Sequence, residues 1–267
     1  MLSSTLLFVV AYAALGGFLF GYDLGLIGGA LLQIQRYFHV RASITLELIV
    51  GAAKLGAAAG TFLGGAAMAR YGRRRALGLN AAAFTVGPLV MAAAAAPWQL
   101  MLGRFIVGLG IGVSATVTPA YIAELAPAGI RGSLVQMYEV MLCIGMLSAP
   151  LVDWALSTTG SSGAWRLMVG LPAVAGLALA AAPVVLPESP RWLVTRNRLD
   201  EALEVLQVVL AGKAASSSGG ISGLSLSGAF RALTAGSATA TGVGGYQRVP
   251  GKVSGGEDQP SGEQVTS

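Results

Sequence analysis

Residues 16–30 read GGFLFGYDLGLIGGA. They lie inside an apolar run from Leu6 to Leu32, and about 20 such residues in a helix are enough to cross a bilayer. Glycines recur at every fourth position, Gly17, Gly21, Gly25 and Gly29. That spacing lines one face of a helix with residues small enough for a neighbouring backbone to come close. Asp23 sits two residues from both Gly21 and Gly25, so at about 100° per residue it projects from roughly the opposite face. A carboxylate at membrane depth costs at least ~2.5–3.5 kcal/mol unless it meets a partner or water. The stretch therefore reads as a packing helix that carries an ionisable group into a protein interior.

Composition extends that reading to the rest of the chain. Of 267 residues, 54% are hydrophobic, 11% are charged and 38 are glycine; charged residues make up about a quarter of an ordinary soluble domain. With a mean hydropathy of +0.70, the expected class is an all-α membrane protein with several spans. The net charge of +5 points to basic loops on the cytoplasmic side rather than to nucleic acid. One cysteine, Cys143, leaves no internal disulfide and no cysteine cluster, and the one histidine, His39, stands alone in a short loop. No metal or other cofactor is expected. The first apolar run lacks a basic leader and is too long for a cleavable signal, so it is expected to stay as a helix.

Six apolar segments follow in order, about Leu6–Leu32, Ile44–Met68, Leu77–Ala96, Leu100–Ile122, Leu134–Leu156 and Leu167–Leu186. The second carries its own four-residue stripe, Gly56, Gly60 and Gly64. Arg70, Arg73, Arg74 and Arg75, then Arg131, then Arg191, Arg196 and Arg198 fall on one side, and only Arg36, Arg41 and Arg166 on the other. This asymmetry places both termini in the cytoplasm. The expected organisation is a six-helix transmembrane bundle over 1–190, an amphipathic cytoplasmic helix region over 191–211, and a Gly/Ser-rich tail over 212–267. The tail cannot bury enough apolar area to offset its ordering entropy and is expected to be disordered.

FGYDLGLIGGALLQI, RYGRRRALG, GRFIVGLGIGVS, YIAELAPAGIRGSLV, WRLM and PESPRWL occur in this order between Gly16 and Leu193. Together they resemble the amino-terminal half of a sugar porter of the major facilitator superfamily, the group of facilitative glucose transporters and proton-coupled sugar or polyol symporters. The resemblance implies a fold equal to one six-helix half of such a transporter. It ends near Leu210, where a member of that family would continue into a second bundle of six helices. The chain is accordingly expected to be a truncated half that does not transport alone, because substrate in that family lies between two halves that rock against each other.

Three constellations are candidates for function. Asp23 and Arg104 are opposite charges in apolar helices and are expected to pair, because each alone is expensive. The resemblance implies that the aspartate of FGYD is a proton site and that the segment-four arginine tunes it; a permanent, non-titrating clamp is the alternative. Glu139, about two turns into segment five, is expected to be buried. The resemblance implies a position that hydrogen-bonds sugar hydroxyls, commonly through glutamine; glutamate there can bind a hydroxyl, titrate with transport, or simply be satisfied by a neighbouring helix. Arg73, Arg74, Glu124, Arg131, Glu188 and Arg191 gather at three cytoplasmic helix ends. A salt-bridge network of such exposed pairs, each worth about 0–1 kcal/mol, suits a gate that opens and closes. The resembled family has an aspartate before the first arginine of that loop, where this chain has Ala69.

The resemblance implies transmembrane transport of a monosaccharide or polyol by symport, with the sugar, protons and membrane lipid as partners. Two alternatives stay open: a regulatory half that dimerises with a full-length porter or complementary half, and an uncoupled facilitative uniporter. An enzyme is not expected, since no nucleophile has a histidine partner. The expected location is the plasma membrane, with a vacuolar or plastid membrane as alternatives.

Overall fold

The computed structural model describes residues 4–39, 42–158 and 163–214. Among them all regular structure is helical. α1 (Ser4–Ala13) and α2 (Leu15–Tyr37) form the first span, joined at Ala14. α3 (Ser43–Tyr71), α4 (Arg73–Ala92), α5 (Pro97–Leu125) and α6 (Arg131–Ser157) are the next four. α7 (Ala164–Gly170), α8 (Pro172–Ala180) and α9 (Ala182–Val185) make the sixth, and α10 (Pro190–Thr195) and α11 (Leu199–Ala214) follow. Among the described residues six segments are long and apolar enough to cross a membrane. The expected tail falls on 215–267, outside the described residues; positions 212–214 belong to the last turn of α11.

Most helices extend beyond their apolar runs. The basic stretch expected to be a turn between the second and third spans is reduced to Gly72, with φ 89° and ψ 169°, a conformation open essentially to glycine alone. Arg73, Arg74 and Arg75 are already the first turn of α4. The sixth span is interrupted just ahead of Pro172 and Pro183, whose missing N–H and fixed ring break the hydrogen-bond ladder. Pro88, Pro119 and Pro150, by contrast, sit inside continuous helices, as membrane spans tolerate.

Glycine sets how the helices meet. On α2, Gly17, Gly21 and Gly25 press against the α6 backbone at Tyr138, Leu142 and Met146, and Gly145 of α6 returns the contact at Phe18. A second seam joins α3 to α5, with Gly56 and Gly60 against Phe105 and Leu109, and Gly108 and Gly112 against Ala53 and Ala57. Lipid tails are as apolar as any side chain, so close backbone approach and van der Waals packing take over the role that hydrophobic burial has in water. α4 packs on α5 and on α7–α9, around the buried Phe84, Met91 and Leu179. α3 and α6 stay open. They bury only 22% and 17% of their most apolar stretch, against 61% for the first span.

Candidate functional site

α2 is held between two neighbours, and this places its charge. Its glycine face seats α6, so the opposite face, with Asp23, turns to α5. There Arg104 Nη1 donates to Asp23 Oδ1 at 2.6 Å. Both residues are almost wholly buried, at 4% and 5% exposure. Arg104 stands seven residues, about 11 Å of helix rise, inside the start of α5 at Pro97. The expected pairing is present, and its low-dielectric surroundings make it expensive to break, since either partner alone would be an uncompensated charge.

Glu139 differs from expectation. It is exposed rather than buried. α6 buries the line Leu134, Tyr138, Gly145, Ala149 and Asp153 against its neighbours, and Glu139 lies a further 100° round the helix from Tyr138, on the open side. Depth in the membrane does not by itself bury a residue; a partner helix has to cover that face.

At the basic end the structure assembles a latch of a different kind from the one expected. Arg73 Nη2 pairs with Glu124 Oε1 at 2.7 Å, partly buried. Among the described residues Glu188 meets no arginine side chain. Its Oε1 accepts the backbone amides of Arg73 at 2.8 Å, Arg74 at 3.2 Å and Ser189 at 2.9 Å. Gly72 makes this possible: it points the unpaired amides of α4's first turn outward, and a carboxylate is the natural occupant of a helix N-terminus. Arg74 Nε donates to the Pro183 carbonyl. Arg131 and Arg191 make no ion pair among the described residues. Ser189, missed from the sequence, donates to Glu124 Oε2 and also caps α10; Ser followed by Pro190 is a legible helix-start signal. Where the resembled motif has an aspartate, the Ala69 carbonyl accepts Trp192 Nε1 at 3.3 Å, and Arg196 Nη2 reaches the Arg70 carbonyl at 3.0 Å. These donors close the C-terminal end of α3 in the way a cation does.

Other polar groups inside the bundle were not anticipated. Ser114 and Thr118 of α5 and Tyr138 of α6 surround the Gly16–Gly17 backbone, each with a buried hydroxyl that has no hydrogen-bond partner among the described residues. Asp153 of α6 is likewise buried with both oxygens unpartnered. Lys54 stands exposed inside the α3 span, without an ion pair among the described residues. The signal that reveals Asp153 and Lys54 is the one that revealed Asp23, a charge inside an apolar run.

Comparison with known proteins gives one family and consistent relatives. The family model described as "Sugar (and other) transporter" matches residues 9–218. The chain is 41% identical over 198 residues to the human proton myo-inositol cotransporter, covering 74% of this chain and 30% of that protein. It is 41% identical over 199 residues to the galactose-proton symporter of Escherichia coli K12, covering 74% of this chain and 42% of that protein. Among solved structures, the proton:xylose symporter XylE bound to 6-bromo-6-deoxy-D-glucose superposes with a TM-score of 0.77 at 27% identity, over 90% of this chain and 56% of that one. The chain thus spans between 30% and 56% of the length of these proteins.

Proposed function

This chain belongs to the sugar transporter family, transporters rather than enzymes, its all-helical bundle matches part of a major facilitator superfamily transporter, and we propose that it forms one half of a sugar or polyol transporter coupled to protons. It is an integral, multi-pass membrane protein. The observation that carries the coupling is the buried Asp23–Arg104 pair. A carboxylate held by a single guanidinium can exchange that partner for a proton when the surrounding helices shift, so protonation and rocking of the halves become linked. Relatives named as proton symporters support this mode. The exposure of Glu139 on the open side of α6 supports a role in meeting substrate hydroxyls or a second bundle. The Arg73–Glu124 pair and the Glu188–α4 contacts would hold the inner end shut, with Arg131 and Arg191 able to join from their partly buried positions.

In this reading residues 1–190 are the membrane bundle, 191–211 a cytoplasmic amphipathic helix and 212–267 a cytoplasmic tail, with both termini inside and the plasma membrane as the location. The open α3 and α6 faces support a second reading, in which the chain docks on a full-length porter and lowers its uptake.

The test is uptake of labelled xylose, galactose and myo-inositol in cells lacking their own transport, with this chain expressed alone or beside the carboxyl-terminal half of a related symporter. Uptake is expected only with both halves, to rise at acidic external pH, and to be abolished by Asp23→Asn. Equal uptake by this chain alone would sink the half-transporter proposal. Uptake indifferent to pH and to Asp23→Asn would replace symport with facilitated diffusion. Reduced uptake when the chain is added to an intact porter would favour the regulatory reading.

A further inference from the structure

Asp153 stands four residues short of the end of α6 at Ser157, about 6 Å along the helix. It is 6% exposed, and neither Oδ1 nor Oδ2 has a hydrogen-bond partner among the described residues. Its carboxyl lies against Gly29, the last member of the α2 stripe, where any added Cβ would run into it. Gly29 therefore leaves the room in which this carboxyl sits. Gly29 itself lies inside α2, where backbone amides serve the helical ladder.

Among the described residues no cation forms an ion pair with it. On α2 the titratable neighbour is Tyr22, whose hydroxyl donates to the Met168 carbonyl at 3.2 Å. Arg104 is committed to Asp23. Arg166 of α7 donates to the Ala92 carbonyl at 2.8 Å and lies over the Tyr37 and Trp165 rings. α6 itself offers no charge near Asp153, its adjacent turns being Ala149, Pro150, Trp154 and Ser157.

Two aspartates thus share one bundle at nearly equal burial, and among the described residues only Asp23 has a guanidinium. An ionised carboxylate without partner or water is among the costliest states a side chain can hold in a bilayer. A proton on the carboxyl removes the charge and makes one oxygen a donor, for which the Ala149 carbonyl one turn back is an acceptor within the same helix. We propose that Asp153 is a second proton-binding site of this chain, taking up a proton within the α2–α6 seam and exchanging it with water at the Ser157 end of α6. The step is a simple transfer, hydronium giving a proton to the carboxylate and leaving water. It rests on no assignment of transport: it concerns this bundle whether or not a sugar is carried.

The experiment is infrared difference spectroscopy of the whole chain in phosphatidylcholine vesicles at pH 5, wild type against Asp153→Asn. Asn keeps the size and neutrality of a protonated carboxyl, so the variant is expected to fold. The expected result is loss of one protonated-carboxyl C=O band per chain with the carboxylate bands unchanged; loss of a carboxylate band instead would overturn the proposal. Should the variant fail to fold, dicyclohexylcarbodiimide, which adds to protonated carboxyls in apolar surroundings, is applied to the wild type. An adduct on the Asp153 peptide with Asp23 unmodified supports the proposal; Asp153 left intact while Asp23 reacts would overturn it.

Discussion

At the scale of single residues, the energetics of the bundle concentrate in a few charges. Arg104→Leu leaves Asp23 buried and alone, and is expected to destabilise the fold by about 3–5 kcal/mol, whereas the double variant Asp23→Asn, Arg104→Leu recovers much of that. Thermal unfolding in detergent, read as a double-mutant cycle, checks both values. Gly72→Ala places a Cβ at φ 89°, with an expected cost of about 1–3 kcal/mol and a loosened Glu188 latch; the same melting assay reads it. Asp23 and Arg104 were legible in the sequence because a charge in an apolar run must be answered from within the protein. Glu139 was misread because the sequence shows depth but not which face a neighbour covers. Glu188 was assigned to arginine side chains, yet it went to the backbone. Side-chain charges are visible in a sequence, while the amides freed at a helix start depend on where the helix begins, and here that is set by one glycine.

At the scale of helices, the two glycine seams decide which pairs are inseparable. Gly145→Leu would drive a side chain into the α2 backbone at Phe18 and Tyr22, and overpacking of this kind costs about 1–3 kcal/mol or more. Gly28→Leu meets open space and is expected to be neutral, or to gain up to about 1 kcal/mol of helix propensity. Size-exclusion profiles after heating separate the two outcomes, and equal loss in both would show that the seam is not what holds α2. The stripes were readable from spacing alone, since a period of four marks one helical face. Their partners were not, because the backbone met by a glycine leaves no trace in composition. The breaks in the sixth span were also implicit, as prolines at 172 and 183, but apolar runs conceal them.

For the whole molecule, the proposed orientation yields a direct check. With Cys143 changed to Ser, a cysteine at Ala95, in the exposed turn between α4 and α5, is expected to react with an impermeant maleimide on intact cells. One at Gly129, between α5 and α6, reacts only after permeabilisation; the reverse pattern would invert the topology. The fold class was legible throughout, because helix length and charge asymmetry are sequence properties, whereas the open α3 and α6 surfaces emerge only once packing is known. The pairing of seams has a further consequence, for biosynthesis. α3 closes on α5, and α2 closes on α6, so in chain order one pair is nested inside the other. At ~5–20 residues per second, the ribosome leaves Asp23 without Arg104, 81 positions later, for roughly 4–16 seconds. Through that interval the nascent first helix carries an unmatched acid, and it has to linger beside the insertion machinery or keep a proton until the fourth span arrives.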